Sequence, residues 1–380
     1  MPYEVVCLTV NDYEELLDFI DLVFHIDFRK TLPILYKPTD ESMSCQYAVK
    51  EGGRIRAAVG SFPMTWHVGG AALKVAGIGN VAVHPYHRSK GYMVALMNAA
   101  IADMGSEGVD LSYLGGQRQR YQYFGYELCG PAYSVHMSGH SIKHLIPSSY
   151  EPRYEFVEME KADAAIVDSA YAVYQGQTAR IERSRSTFVE GLRSFNSRPL
   201  AIVHDSGETA GYLTLNGTSV GEIALRHEAD LDDVLSSLIA RRTLRELTVA
   251  VAPHETQKLH QVIPIADSFS AANSGNYRVF NFAAVVRAFL TLKAQECPLA
   301  SGHAVIETEL FGRHAVSVAP EEVSVTETDQ MPDVVLSGMQ VYQALFGIAP
   351  LQAYFGGSAK AQLLLSWFPL PLNLPLPDHV

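Results

Sequence analysis

The stretch Val75–Leu96, VAGIGNVAVHPYHRSKGYMVAL, holds two competing phosphate-binding patterns, and the choice between them decides the fold. Gly77, Gly79 and Ala82 fit G-x-G-x-x-A, the spacing of a dinucleotide-binding loop. Such a loop works only if a helix leaves the glycines at once, with its N-terminus facing the pyrophosphate. Here Asn80-Val81-Ala82-Val83-His84-Pro85 follows, a β-rich run closed by proline. The acid expected about 20 residues further on would be near Asp103, inside an amphipathic helical pattern. Gly77 and Gly79 therefore read as a bend in a strand or a point of close backbone approach.

The second pattern has the required order. A strand over Val81–Val83 ends at Pro85, a turn carries Arg88, Ser89 and Lys90, and Gly91 opens a helix. Met93, Leu96, Met97, Ala100, Ile101 and Met104 give that helix one apolar face. The first N–H groups of a helix have no internal partners, and with the helix dipole they attract anions. Gly91 removes the side chain that would block close approach, and Arg88 and Lys90 add positive charge.

V-x-V-x-P-x-x-R-x-x-G before an amphipathic helix resembles the coenzyme A signature of the GNAT N-acetyltransferases. The resemblance implies that Val81, Ala82 and Val83 line the pantetheine arm. It implies a pyrophosphate surrounded by Arg88, Ser89, Lys90, Gly91, Tyr92, Met93 and Val94, with Met93 standing where the pattern prefers Gly or Ala. The stretch RYQYFGYE (Arg120–Glu127) adds a tyrosine, Tyr121, four residues before Gly125. In the family such a tyrosine protonates the leaving thiolate; a phenol of pKa about 10 suits that task. Tyr123 and Tyr126 compete for the role. Gly116 and Gln117 in LGGQRQRY match a further cofactor contact.

A single GNAT domain leaves more than half of the 380 residues unexplained. The whole length resembles the Eis-like (enhanced intracellular survival) subfamily. The fold class expected is α+β: a GNAT domain over 1–147, a degenerate GNAT-like domain over 148–277 and a sterol-carrier-protein-like (SCP2-like) α/β domain over 278–380. Pro/Ser-rich IPSSYEPRY (Ile146–Tyr154) is the candidate first boundary. In the middle region GEIALRHEADLDDVLSSLIA (Gly221–Ala240) puts acids where the basic glycine turn would stand, so one active site per chain is expected. The resemblance also implies that the terminal carboxylate, here of Val380, returns to the first domain as general base. Asp378 and His379 are neighbouring candidates for that role. Asp27, in FHIDFRK, matches an acidic position that faces cationic substrates. The implied reaction is acetyl transfer from acetyl-CoA to a primary amine of an aminoglycoside-like, polyamine or lysine acceptor, by a homo-trimer or hexamer.

Composition is compatible with this. Hydrophobic residues make up 48%, enough for packed cores, and the net charge of −12 argues against nucleic acid as the main partner. Cys7, Cys45, Cys129 and Cys297 share no metal-site or redox spacing, and the N-terminus shows no signal-peptide pattern, so a cytoplasmic protein without a metal is expected. The apolar tail LLLSWFPLPLNLPLP carries four prolines and cannot be a helix throughout. A second reading is an apolar-ligand or lipid carrier acting through the C-terminal domain. A third is a non-catalytic acyl-CoA-binding regulator.

Overall fold

Apolar runs separated by Gly-Gly turns build the first part of a large sheet. In the computed structural model, which describes residues 3–147, 149–320 and 322–380, strands β1 (Val5–Cys7), β2 (Gln46–Glu51), β3 (Arg54–Val68) and β4 (Ala71–Val83) lie antiparallel in that order. The turns at Gly52–Gly53 and Gly69–Gly70 have left-handed φ, which glycine adopts without strain. Helix Tyr92–Ser106 then leads to β5 (Leu111–Leu114), parallel to β4. Both faces are covered. Leu96, Met97 and Ala100 pack on Ala76 and Ile78, while Leu16, Leu17 and Ile20 of helix Tyr13–Phe24 pack with Phe62 and Ala82.

The sequence pattern runs the first helix from Asn11 through Phe28, and the structure breaks it. Helix Tyr13–Phe24 stops at His25, which is left-handed (φ 59°), and a short helix Phe28–Thr31 restarts after Asp27. Local polar contacts outweigh apolar periodicity here: Asp21 accepts the Phe28 N–H and Asp27 accepts that of Lys30, capping the new helix.

The next region repeats the order of elements. After β6 (Glu127–Met137) come β7 (Tyr154–Glu158), helix Ala164–Gln175, β8 (Ala179–Ile181), and antiparallel β9 (Arg198–His204), β10 (Thr209–Asn216) and β11 (Ser219–Leu225). Helix Leu231–Arg242 then connects to β12 (Leu247–Val251), parallel to β11, as β5 is to β4. The two halves share their last strands. β13 (Ser268–Val279) lies between β5 and β6, and β6 lies between β13 and β12, giving the order β1-β2-β3-β4-β5-β13-β6-β12-β11-β10-β9-β7. The division expected at 277/278 falls inside β13, and the one at 147/148 meets Ser148, which is outside the described residues.

The remaining chain forms helix Phe282–Glu296 and a four-stranded sheet, β16-β15-β14-β17, from β14 (Gly302–Thr308), β15 (Gly312–Ala319), β16 (Glu322–Glu327) and β17 (Val334–Leu336). Its core is continuous with that of the first sheet: Val285 and Phe289 share one cluster with Trp66, Val75 and Tyr277. No helix among the described residues is long and apolar enough to cross a membrane.

Candidate active site

The site begins where two parallel strands part. β4 and β5 pair from Val75–Leu111 to Ile78–Leu114; from Gly79 to Val83, β4 has no strand partner on that edge among the described residues. The backbone groups facing the gap are free to bind an extended ligand, because unpaired N–H and C=O groups seek partners. Val81 lines the cleft, whereas the Ala82 side chain is buried in the core on the other face, so Ala82 offers only backbone there. Val83 packs on the side of helix Tyr92–Ser106.

Beyond the gap the chain turns through Ser89 (φ 63°) and Gly91 (φ 80°), and helix Tyr92–Ser106 starts. The first intrahelical bond closes from Ala95 N–H to Gly91 C=O, so the preceding N–H groups of Tyr92, Met93 and Val94 stay available to an anion. A side chain at Gly91 would meet only the Tyr3 hydroxyl, at 3.6 Å, so glycine there serves the left-handed turn rather than internal packing. Arg88 is exposed and makes no ion pair among the described residues. Lys90 is tied to Glu51 at 3.0 Å, as is His87 at 2.8 Å, which tempers its charge.

Gly116, Gln117 and Tyr121 line the same cleft, a cavity of about 370 Å³. The Tyr121 ring lies over Gly116, where φ is 119° and a Cβ would stand 3.0 Å from the ring. Burial pushes the Tyr121 phenol above its ordinary pKa, partly offset by Arg120, so it stays protonated at neutral pH. The competing tyrosines are accounted for otherwise. Tyr123 is 81% exposed, and Tyr126 is buried with its hydroxyl on Ser112.

The C-terminal segment reaches this cleft as a buried strap. Trp367, Phe368, Leu370, Leu372 and Leu374 are all in the core, so the tail is not frayed. Asn373 donates to the Pro131 carbonyl, and Leu374 N–H donates to the Tyr277 hydroxyl. Val380 then fills the space left by two missing side chains: a Cβ on Gly77 would lie 2.7 Å from Val380 Cγ2, and one on Gly79 would lie 3.2 Å from its carbonyl carbon. The close approach expected at these glycines is made by the last residue. A parallel contact occurs in the repeated half: Gly221, just past the last β11–β12 pair, faces Leu376 at 3.3 Å.

Asp378 and His379 are engaged elsewhere. Asp378 receives two bonds from Arg183 (2.9 and 2.6 Å), whose other edge forks onto Glu222 (2.8 and 2.8 Å) under the Tyr174 ring. His379 Nε2 lies 3.1 Å from the Leu374 carbonyl, which can only accept, so Nε2 carries the proton and Nδ1 accepts from the Tyr113 hydroxyl at 2.9 Å. Burial lowers His379 from an ordinary 6.5 to about 4, although the Leu374 bond opposes this. Its folded pKa is thus below its unfolded one, so its contribution to stability is present above pH 6.5 and is lost as pH falls towards 4. The thermal midpoint of the wild type is expected to fall faster over that window than that of His379→Gln; parallel curves in a pH series would contradict it.

Asp27 does not join the cleft. Its carboxylate caps the short helix and pairs with Lys30 at 2.8 Å, with 42% of the side chain exposed. The residues that flank the cleft on this side are apolar: Phe24, Ile26, Phe28 and Leu32, with Phe195 from the middle region. Sequence reasoning missed them because a Phe or Ile beside a helix end reads as ordinary packing. It also missed Arg183 and Glu222, which lie on separate elements of the repeated half. Asn80 was passed over too; it bends β4 with φ 38° and holds Tyr36 and Gln46 in a buried chain of hydrogen bonds.

A splayed parallel strand pair, a glycine turn into a helix N-terminus and a tyrosine over the gap define an acetyl-CoA-dependent acyltransferase, and residues 5–129 match the acetyltransferase (GNAT) domain. The chain is therefore an acyltransferase with acetyl-CoA as co-substrate, on a GNAT fold of mixed α/β content. Its whole length superposes on a GCN5-related N-acetyltransferase from Kribbella flavida (TM-score 0.70, 18% identity, 100% of both chains). It superposes equally on a probable N-acyltransferase from Enterococcus faecalis V583 (0.70, 16%, 100% of both chains). Eis1 from Mycobacterium abscessus is similar too (0.64, 13%, 100% of this chain and 99% of that one). No curated protein sequence matches the chain significantly.

Proposed function

We propose that the protein is an Eis-like N-acetyltransferase that moves the acetyl group of acetyl-CoA to a primary amine in one direct step. The observation that carries this reading is the convergence of Tyr121 and Val380 on one cleft at the parting of β4 and β5. The backbone of Val81–Val83, with Gly116 and Gln117, would hold the pantetheine arm. The turn from Arg88 through Val94 would hold the pyrophosphate, which the free helix N–H groups fit. The Val380 carboxylate accepts a proton from the acceptor ammonium, freeing the nitrogen lone pair to attack the thioester carbon. As the C–N bond forms and the C–S bond breaks, Tyr121 donates its phenol proton to sulfur, and the second amine proton restores the phenol by way of solvent. The products are an amide and the CoA thiol.

The acceptor class expected from sequence is an aminoglycoside-like, polyamine or lysine amine; Asp27, expected as its contact, is paired with Lys30 and does not line the cleft. The reading includes a degenerate GNAT-like unit from 148, supported by the repeated element order and by the acids Glu228, Asp230, Asp232 and Asp233 where a phosphate would sit. It also includes an SCP2-like C-terminal unit, supported by a helix over a four-stranded sheet. A cytoplasmic homo-trimer or hexamer completes it, to be checked by light scattering and cell fractionation.

The test is release of CoA thiol with a panel of amines. Gly77→Ala is the informative variant, because its Cβ would displace Val380 without touching the pyrophosphate turn. The expected result is a fall in kcat of about 10–100-fold, the order of cost for an ångström of misplacement, with acetyl-CoA affinity unchanged by calorimetry. Full activity in Gly77→Ala would remove Val380 from the mechanism. Tight acetyl-CoA binding with no turnover on any amine would leave a carrier or regulator instead.

A further inference from the structure

The cleft that takes the acceptor is built for an apolar body. Besides Val81, Gly116 and Gln117, the cleft is lined by Phe24, Ile26, Phe28, Leu32 and Phe195, with Thr31 among them. No aspartate or glutamate side chain lines it among the described residues, and its charged side chain is a cation, Arg120. Of the acids on the adjoining elements, Asp21 accepts the Phe28 N–H, Asp27 pairs with Lys30, Glu14 with Arg29 and Glu15 with Arg54; Asp18 is exposed, and none of the five lines the cleft. Phe24 and Ile26 remain 39% and 42% exposed, so apolar surface continues from the cleft to its mouth.

From this we infer that the preferred acceptor is a small monoamine carried on an aromatic or aliphatic body, not a polycation. The inference rests on the acetyltransferase reading above and narrows its substrate class. An acceptor with several ammonium groups would have to desolvate each of them against phenylalanine and isoleucine, with no carboxylate side chain to receive them, and beside Arg120. A monoamine brings one ammonium, which meets the Val380 carboxylate and loses its proton there. Its body gains from burial on the aromatic walls, in proportion to the apolar surface removed from water. The cavity of about 370 Å³ is shared with the pantetheine arm at Val81, Gly116 and Gln117, so the acceptor has only the remainder, which suits a small amine. The net charge of −12 draws cations to the surface at long range, but the side chains at the cleft decide which amine is held.

The experiment compares kcat/KM for 2-phenylethylamine and hexylamine with that for spermidine and kanamycin, at saturating acetyl-CoA, in the wild type and in Ile26→Glu. Ile26 is half-exposed at the mouth, so the variant adds a carboxylate without a cavity or clash. In the wild type the two monoamines are expected to lead by about 100-fold, the discrimination that apolar pocket contacts supply. Ile26→Glu is expected to shrink that lead about fivefold, the order of one solvent-exposed ion pair, by raising spermidine turnover. Spermidine or kanamycin preferred by the wild type would overturn the inference and leave the acetyltransferase reading standing. An unchanged ratio in Ile26→Glu would also overturn it, since the wall would then not be what selects. Failure of all four amines, with acetyl-CoA bound, would count against the reading beneath it.

Discussion

Tyr121→Phe is expected to lower kcat by about 100-fold, at the lower end of what a positioned general acid contributes, while leaving acetyl-CoA affinity unchanged. The phenol is the buried tyrosine on the cleft, with its ring over Gly116. Removing one oxygen preserves that ring packing, so loss of rate cannot be assigned to collapse of the wall. Burial raises the phenol above its ordinary pKa, partly offset by Arg120, so the wild type should keep this group's contribution to the rate through neutral pH and lose it only at a higher pH than an ordinary phenol would. Stopped-flow measurement of CoA thiol release across pH 6–10 checks both points. A Phe variant with wild-type kcat would leave the departing sulfur to be protonated by water.

Arg183→Met is expected to cost about 3–5 kcal/mol of stability, because it leaves Asp378 and Glu222 buried together without their cation. The guanidinium uses both edges, and each carboxylate takes two of its N–H groups. Lysine cannot reproduce that fork, so Arg183→Lys should rescue little. The consequence reaches the active site through the chain: Asp378 stands two residues before Val380, and it is the last ion pair on the strap. Released from Arg183, the tail should lose its seat against Gly77 and Gly79, and kcat should fall with acetyl-CoA affinity retained. Adding Asp378→Asn to Arg183→Met should recover part of the thermal midpoint but not the rate, because the carboxylate needing a partner is gone while the latch is still open. Calorimetry with the CoA-release assay separates the two effects. Wild-type kcat in Arg183→Met would mean that the strap is seated by its apolar residues alone.

Much of the first domain was legible in the sequence because its signals are local. Gly52–Gly53 and Gly69–Gly70 mark turns that need positive φ, and Pro85 followed by Gly91 fixes where a strand stops and a helix begins. The rejection of a dinucleotide loop at Gly77 and Gly79 needed only the six residues that follow. Local signals failed at the helix break after Phe24, where two aspartates capping backbone N–H groups outweighed the apolar pattern. They also failed at β13, whose residues pair with β5 and β6 from far earlier in the chain.

What the sequence determined by itself was the place of the turn into helix Tyr92–Ser106 and the candidacy of Tyr121, since both depend on residues within one or two turns of each other. Which of three tyrosines faces the cleft, what fills the space over Gly77 and Gly79, and which acids remain free to meet a substrate were decided only by tertiary structure. Each depends on side chains brought together from elements far apart in the chain. Asp27 marks the boundary between the two: Lys30, only three residues on, takes its carboxylate locally, but that the cleft is walled by Phe24, Ile26 and the distant Phe195 instead follows from the fold alone.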